Sequence, residues 1–159
     1  MAVLENAPSA IVVRTNFFAR SQPGGKGLID FVIKSAQFSK VVFGYRDVLF
    51  NPVGAHFLAK CLEKLISSDH QGIMNISSSR LLSKYEFLCL VVEKLNLNKD
   101  LIQARDSSHA SNSVLRPKCM SLNPSKLRSF LGEDLPTIES QLDTELSGTI
   151  PLLVDKDGK

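Results

Sequence analysis

The chain has 159 residues, of which 43% are hydrophobic and 22% charged, a composition typical of a globular domain with its own core rather than of a disordered segment. Its net charge is +3 and its lysines and arginines are scattered, which favours a solvated surface over a nucleic-acid-binding face. No run approaches the roughly 18 consecutive apolar residues of a membrane span, and the first residues lack the pattern of a signal peptide. We therefore expect no membrane association and a cytoplasmic location.

The first third of the chain is predicted to form a strand, a loop, a helix and a second strand. The first strand is a short β-branched run, typical of a parallel strand buried on both faces, and polar residues follow it. Glycine and proline mark the loop. The predicted ranges are residues 10–13, 22–27, 28–36 and 40–43.

Asn51 and Pro52 have the pattern of a helix start, because asparagine can cap free backbone amides and proline at the first helical position has no amide to satisfy. We therefore predict a helix that begins there and packs an apolar stripe against the core. Residues 72–76 form the third predicted strand.

The strongest local signals for a helix follow Leu82. Ser83 and Glu86 have the spacing of a capping box, in which each side chain satisfies a backbone amide of the other residue. Leu82 and Phe87 have the spacing of a hydrophobic staple around that box. This helix is predicted to end near Leu95.

Two more helices are predicted towards the C-terminal end. Asn123 and Pro124 repeat the pattern of a cap followed by proline, and Gly132 is placed to end that helix. The last helix is amphipathic and uses the apolar residues Ile138, Leu142 and Leu146. Residues 149–159 are expected to form a frayed tail.

The cysteines and histidines predict no metal site. Cys61 and Cys89 fall among apolar residues of predicted helices and are interpreted as small buried hydrophobes in a reducing compartment. No pair of cysteines has CxxC spacing, and the histidines are separated without metal-ligand spacing.

Strands that alternate with helices predict the α/β class. Three predicted strands are too few for a complete doubly wound sheet. We therefore expect an incomplete doubly wound, Rossmann-like sheet.

Four segments, in this order and spacing, resemble the C-terminal half of the dTDP-4-dehydrorhamnose reductases, which are sugar-nucleotide reductases of the extended short-chain dehydrogenase type. Together the segments cover nearly the whole chain. They are residues 10–18 with Arg14-Thr15 before an aromatic, 51–66 with Asn51-Pro52, 72–87 with Gly72-Ile73-Met74-Asn75 and Ser83-Lys84-Tyr85-Glu86-Phe87, and 116–127 with Arg116-Pro117 and Ser121-Leu122-Asn123.

The resemblance implies that residues 1–148 are the small C-terminal substrate-binding α/β region of such a reductase, with a pocket for a nucleotide-linked sugar. It implies that Arg14, Thr15, Asn16 and Phe17 lie beside the nicotinamide and the sugar. Phe17 stands near the position where the rhamnose-pathway enzymes usually carry tryptophan. Arg116 would lie near the nucleotide, where its guanidinium can hold two phosphate oxygens.

Structural roles remain open for these same residues. Arg14 at a strand end is also compatible with a salt-bridged structural residue, and Arg116 before proline with a loop contact. Phe17 is also compatible with a core position.

The sequence lacks two features that a nicotinamide reductase of this type needs. The glycine cluster at residues 24–27 does not have the GxGxxG or GxxGxxG spacing that surrounds a pyrophosphate. The general acid of the superfamily is a tyrosine with lysine four residues later, whereas here Tyr45 is followed at that spacing by Leu49 and Tyr85 by Cys89. We therefore expect NADPH or NADH to serve the complete family enzyme and not to bind tightly to this chain alone.

Three hypotheses for function follow. The first is the C-terminal part of a 4-keto-sugar reductase, in which the missing N-terminal cofactor domain supplies the chemistry, because the family places its tyrosine–lysine helix just before residue 10. The second is a non-catalytic binding or regulatory subunit, similar to the regulatory subunit of methionine adenosyltransferase, with another enzyme subunit as its partner. The third is a decaying gene fragment without function.

Overall fold

Short strands and helices alternate along the chain, so the predicted α/β class is confirmed. The computed structural model describes residues 2–21, 25–109 and 117–147. In chain order its elements are α1 (Ala2–Asn6), β1 (Ile11–Thr15), β2 (Phe17–Phe18), α2 (Leu28–Gln37), β3 (Val42–Tyr45), β4 (Leu49–Phe50), β5 (Val53–Gly54), α3 (Ala55–Ile66), β6 (Gly72–Ile76), β7 (Leu82–Ser83), α4 (Lys84–Lys94), β8 (Ile102–Arg105), β9 (Cys119–Met120), α5 (Ser125–Leu131) and α6 (Ile138–Leu146).

Strands β1 and β6 form a parallel pair in which Ile11 lies opposite Gly72 and Thr15 opposite Ile76. Alternate side chains of a strand point to the same face, and one face of this pair packs against α3 and α5. The core on that face contains the buried residues Val53, Cys61, Leu65, Met74, Ile76 and Leu127. Strand β1 extends two residues beyond the predicted strand, so Arg14 and Thr15 belong to the strand itself.

Strands β3 and β8 form a second parallel pair, and α4 packs against it. Gly44 allows this close packing, since a Cβ atom there would lie 2.6 Å from the Cα atom of Tyr85. Three aromatic rings continue the same core: the ring centroid of Phe87 lies 5.0 Å from that of Phe18 and 5.6 Å from that of Phe50. Phe18 and Phe50 therefore tie β2 and β4 to α4.

The remaining strands are very short. Strands β2 and β5 pair in parallel, and β4 lies between antiparallel β7 and parallel β9. The described strands thus form several small sheets, which agrees with the expected incomplete doubly wound, Rossmann-like architecture. Side-chain contacts must therefore hold these sheets together.

The local helix signals are confirmed where the cap is close in sequence. The amide of Glu86 donates to Ser83 Oγ over 3.1 Å, and the carboxylate of Glu86 accepts the amide of Ser83 over 2.6 Å. Gly132 ends α5 with a φ of 70°, in the left-handed region that favours glycine. The cap of α6 was not predicted: Thr137 Oγ1 accepts the amide of Ser140.

The predicted helix start at Asn51 is wrong, because α3 begins at Ala55. Two side chains of α6 satisfy its first amides instead. The amide of Gly54 donates to Gln141 Oε1 over 2.7 Å, and the amide of His56 donates to Glu145 Oε1 over 2.7 Å. Both α6 side chains are buried, so the start of α3 is fixed by a helix about ninety residues later in the chain.

The side chain of Asn51 is buried and joins three parts of the chain. Its Nδ2 atom donates to Leu122 O over 2.7 Å, to Ser78 O over 3.1 Å and to Ser77 Oγ over 3.2 Å. Its Oδ1 atom accepts the amide of Leu122 over 2.9 Å. Asn51 therefore holds the segment that follows β9 against the end of β6.

Asp47 holds the chain just before β9. Its carboxylate accepts the amide and the hydroxyl of Ser107, each over 2.8 Å, and lies 2.9 Å from Lys118 Nζ. Lys118 is the largest cause that keeps the pKa of Asp47 well below its usual range, and the amide of Ser107 is the next. Arg46 makes a neighbouring bidentate pair with Asp106.

Asn51→Asp should destabilise the chain strongly. The substitution places a buried carboxylate oxygen against acceptors of Leu122, Ser78 and Ser77 that now receive an amide proton, and we expect the free energy of unfolding to fall by roughly 2–4 kcal/mol. Urea unfolding of the wild type and variant measures this loss. Asn6→Asp is the control, because Asn6 is exposed and donates to Ala2 O alone; equal losses in both variants would contradict the role of Asn51.

Asp47→Asn should change how stability depends on pH. The pKa of Asp47 is lower in the folded chain than in the unfolded one, so the unfolded chain binds more protons in acid and the stability from this carboxylate is lost as pH falls. The wild type should be more stable than the variant at neutral pH, and the difference should shrink as pH falls below about 4. Urea unfolding across this range tests it, with exposed Asp69→Asn as control; a difference independent of pH would refute it.

Candidate functional site

A groove of ≈ 460 Å³ lies at the carboxyl end of β1. One wall is the end of β1 with the residue after it, and the other wall is the end of β9 with the two residues after it. Ligands of open α/β sheets bind outside the carboxyl ends of parallel strands, which makes this groove the candidate site. Its lining residues are Val13, Arg14, Thr15, Asn16, Met120, Ser121 and Leu122.

Two asparagines fix the second wall of the groove. Asn16 Nδ2 donates to Met120 O over 2.8 Å, and Asn51 holds both the amide and the carbonyl of Leu122. Strand β9 also pairs with β4, with Met120 opposite Phe50. The wall is therefore held by two asparagine side chains and by the pairing of β9 with β4.

The sequence-predicted residues Arg14 and Thr15 lie side by side in the groove. Arg14 is exposed and makes no hydrogen bond or ion pair with another residue of the described ranges. Thr15 Oγ1 is buried without a hydrogen-bond partner, and so is Asn75 Oδ1 on the neighbouring strand. Unpartnered buried polar atoms cost folding free energy and are rare. A guanidinium and two unsatisfied polar atoms at one sheet edge can bond a ligand rich in oxygen.

The other predicted residues have different surroundings. Asn16 lines the groove, but its Nδ2 atom is engaged with Met120 O. Phe17 is 62% exposed, whereas Phe18 is buried, so Phe18 is the ring that belongs to the core. Arg116 lies outside the described residues.

Met120, Ser121 and Leu122 were not predicted as lining residues, although the motif that contains Ser121 and Leu122 supports the resemblance. Their signal in the sequence is a short polar stretch before a helix, which does not show what it packs against. Cys119 lies next to them, with its Sγ atom 3.3 Å from Ser121 Oγ, and this contact lowers the pKa of the exposed thiol. Cys61 is buried as predicted, and burial raises the pKa of its thiol to about 11.

The described part of the glycine loop does not fit the pyrophosphate of a nicotinamide cofactor. The carboxylate of Asp30 accepts the amide and hydroxyl of Ser21 there. A Cβ atom at Gly25 would lie 2.6 Å from that carboxylate and one at Gly27 2.9 Å from it. These glycines therefore make room for an acidic side chain, which repels phosphate rather than binding it.

The described residues include neither a metal-binding cluster nor a membrane-spanning helix. No group of three or more histidine, cysteine, aspartate or glutamate side chains lies close enough to hold a metal ion. No helix in those ranges has the length and apolarity that crossing a membrane requires.

Solved structures with the same fold come from sugar-nucleotide enzymes. The chain is similar to the dTDP-4-dehydrorhamnose reductase of Yersinia enterocolitica (TM-score 0.80, 18% identity, covering 94% of this chain and 53% of that one). It is also similar to the reductase of Bacillus anthracis in complex with NADP (0.76, 19%, 87% and 48%) and to a hypothetical reductase of Sulfolobus tokodaii (0.69, 26%, 85% and 46%). The chain thus spans about half the length of these structures.

Sequence comparison gives two results. No curated protein matches the chain. A family profile described as the RmlD substrate binding domain matches residues 1–149. Together with the Rossmann-like fold of the similar structures, this match shows that the chain belongs to the RmlD substrate binding domain family.

Proposed function

We propose that the chain binds a nucleotide-linked sugar in the groove at the carboxyl end of β1. The observation that supports this most is the position of Arg14 and Thr15, which face the groove with no partner for the guanidinium among the described residues and none for the hydroxyl. The family to which the chain belongs is described as substrate-binding. A sugar carries the hydroxyl groups that such side chains bind.

The groove has the size and chemistry that such a ligand requires. Its volume of ≈ 460 Å³ falls within the range of about 300–1,000 Å³ of small-molecule pockets. Thr15 and Ser121 supply hydroxyl groups, and Arg14 supplies a fork of donors for hydroxyl or phosphate oxygens. The exposed ring of Phe17, next to Asn16, can pack against the apolar face of a sugar or base.

We propose further that the reduction of a 4-keto sugar by NADPH or NADH requires a cofactor domain outside this chain. The sequence has two tyrosines, Tyr45 and Tyr85, and neither has lysine four residues later. Among the described strands β1 pairs with β6 alone, so its other edge can accept a strand of such a domain. The same lack of an acid catalyst also supports a second function, that of a non-catalytic binding subunit for another enzyme.

Thr15→Val should separate binding from stability. The substitution keeps the shape of Thr15 and removes an unpartnered buried hydroxyl, so the chain should be at least as stable, whereas affinity for dTDP-glucose should fall about three- to tenfold. Isothermal calorimetry measures the affinity and thermal unfolding the stability. Thr144→Val, at an exposed position of α6, is the matched control. Arg14→Ala should weaken binding about tenfold or more; absence of saturable binding to the wild type would refute the proposed function.

The chain alone should not oxidise NADPH in the presence of a dTDP-4-keto sugar, because it has no tyrosine–lysine pair to protonate the developing alkoxide. Absorbance of NADPH follows the reaction, with a complete reductase as the positive control. Turnover by the purified chain at about 1 s⁻¹ or faster, the usual range of enzymes, would show that the catalytic group lies within this chain.

A further inference from the structure

Helix α3 begins with a residue that has no side chain with which to cap it. Its N-cap residue is Gly54, whereas a serine, threonine, asparagine or aspartate at this position would cap the helix locally. A Cβ atom at Gly54 would lie 2.9 Å from Glu145 Oε1 and 3.5 Å from the Cβ atom of Gln141. The glycine therefore makes room for two side chains of α6 at the start of α3.

The side chain of Gln141 is buried and bonded at both ends. Its Oε1 atom accepts the amide of Gly54 over 2.7 Å, and its Nε2 atom donates to Pro136 O over 2.9 Å. A primary amide whose acceptor and donor are both engaged is held in one orientation. Gln141 therefore fixes the position of Gly54 relative to α6.

Strand β5 connects this contact to the groove. Gly54 and the residue before it, Val53, form β5, which pairs with β2 so that Val53 lies opposite Phe17. The amide of Val53 donates to Asn16 O over 2.9 Å, and Asn16 lines the groove. Two hydrogen bonds and one step along the chain thus lead from Gln141 to a lining residue.

Asn16 is held from two sides. Its carbonyl accepts the amide of Val53, and its Nδ2 atom donates to Met120 O over 2.8 Å. Met120 belongs to the opposite wall of the groove. A displacement of β5 would therefore move a residue of one wall together with its contact to the other wall.

Gln141 itself lies outside the groove. It lines a separate cavity of ≈ 150 Å³ between α3 and α6 and is not among the lining residues of the groove. A ligand in the groove therefore has no direct contact with Gln141. Any effect of this residue on binding must pass through the residues that it holds.

We propose that Gln141 is a positioning residue of the groove, which sets the place of Asn16 through Gly54 and Val53. This inference rests on the proposed function and adds a residue that acts on binding without touching the ligand. Hydrogen bonds weaken steeply when their distance or angle departs from the optimum, and a site held in its binding geometry beforehand loses less free energy on ordering. The tertiary cap on α3 thus contributes to affinity as well as to stability.

Gln141→Met tests this role in the full chain, because it keeps the length of the side chain and removes both hydrogen bonds. We expect affinity for dTDP-glucose to fall about three- to tenfold. The thermal midpoint should fall as well, since the amide of Gly54 and the carbonyl of Pro136 lose their partners. Calorimetry well below the midpoint measures the affinity of the folded chain. Gln37→Met, at an exposed position of α2, is the matched control and should change neither property.

Gln141→Glu separates positioning from stability. A carboxylate still accepts the amide of Gly54 but cannot donate to Pro136 O. We therefore expect a lower thermal midpoint, with affinity for dTDP-glucose within about twofold of the wild type. If Gln141 were merely structural, affinity would fall with stability in both variants.

Asn16→Ala gives a second measurement if the glutamate variant does not fold. The loss of affinity caused by Gln141→Met should be smaller in the Asn16→Ala chain than in the wild type, because both substitutions act on the same contact. Equal losses in these two backgrounds, equal losses in Gln141→Glu and Gln141→Met, or wild-type affinity in Gln141→Met would refute the positioning role while the proposed function stands. A wild type that does not bind dTDP-glucose would refute both.

Discussion

The buried amide of Asn51 is the contact on which the groove depends. The described strands form small separate sheets, so backbone pairing alone does not place the chain after β9 beside the end of β1. Asn51 does so by satisfying both the amide and the carbonyl of Leu122 while it donates to Ser78 O. Because a primary amide offers donors and an acceptor at fixed angles, it can replace a short piece of β-ladder between segments that lie far apart in sequence. Asn16 adds the second tie, through Met120.

Contacts between residues close in sequence could be predicted, whereas contacts between residues far apart in sequence could not. Ser83 and Glu86 are three residues apart, and the capping box between them could be predicted because it needs only local geometry. Asn51, followed by Pro52, has the sequence pattern of a helix cap, yet its side chain bonds Leu122, 71 residues away. The amides that it was expected to cap bond elsewhere: that of Val53 donates to Asn16 O and that of Gly54 to Gln141 Oε1. A tertiary partner thus replaced the local one, which no local pattern could show.

The two walls of the groove differ in the same way in how far the sequence predicts them. The placement of Arg14 and Thr15 at the carboxyl end of a parallel strand could be expected from the resemblance and from the β-branched run before them. The second wall could not be expected, because its position depends on contacts between residues far apart in sequence, such as those of Asn16 with Met120 and of Asn51 with Leu122. Asn16 also shows that one polar residue at a strand end can have two roles: it lines the groove, and its side chain holds the opposite wall in place. Function assigned to such a residue must therefore be separated from its structural role by measuring stability and binding together.

Stability and binding are opposed around this groove. The unpartnered hydroxyl of Thr15 makes the folded chain less stable than an apolar residue of similar size would. Asp47, by contrast, is fully partnered by Ser107 and Lys118 and stabilises the chain close to the same wall. A ligand with hydroxyl groups supplies the hydrogen bond that Thr15 lacks, whereas Asp47 already has its partners. The unpartnered hydroxyl of Thr15 therefore indicates where binding energy is available in the groove, and the ion pair of Asp47 with Lys118 indicates what keeps the wall in place before the ligand arrives.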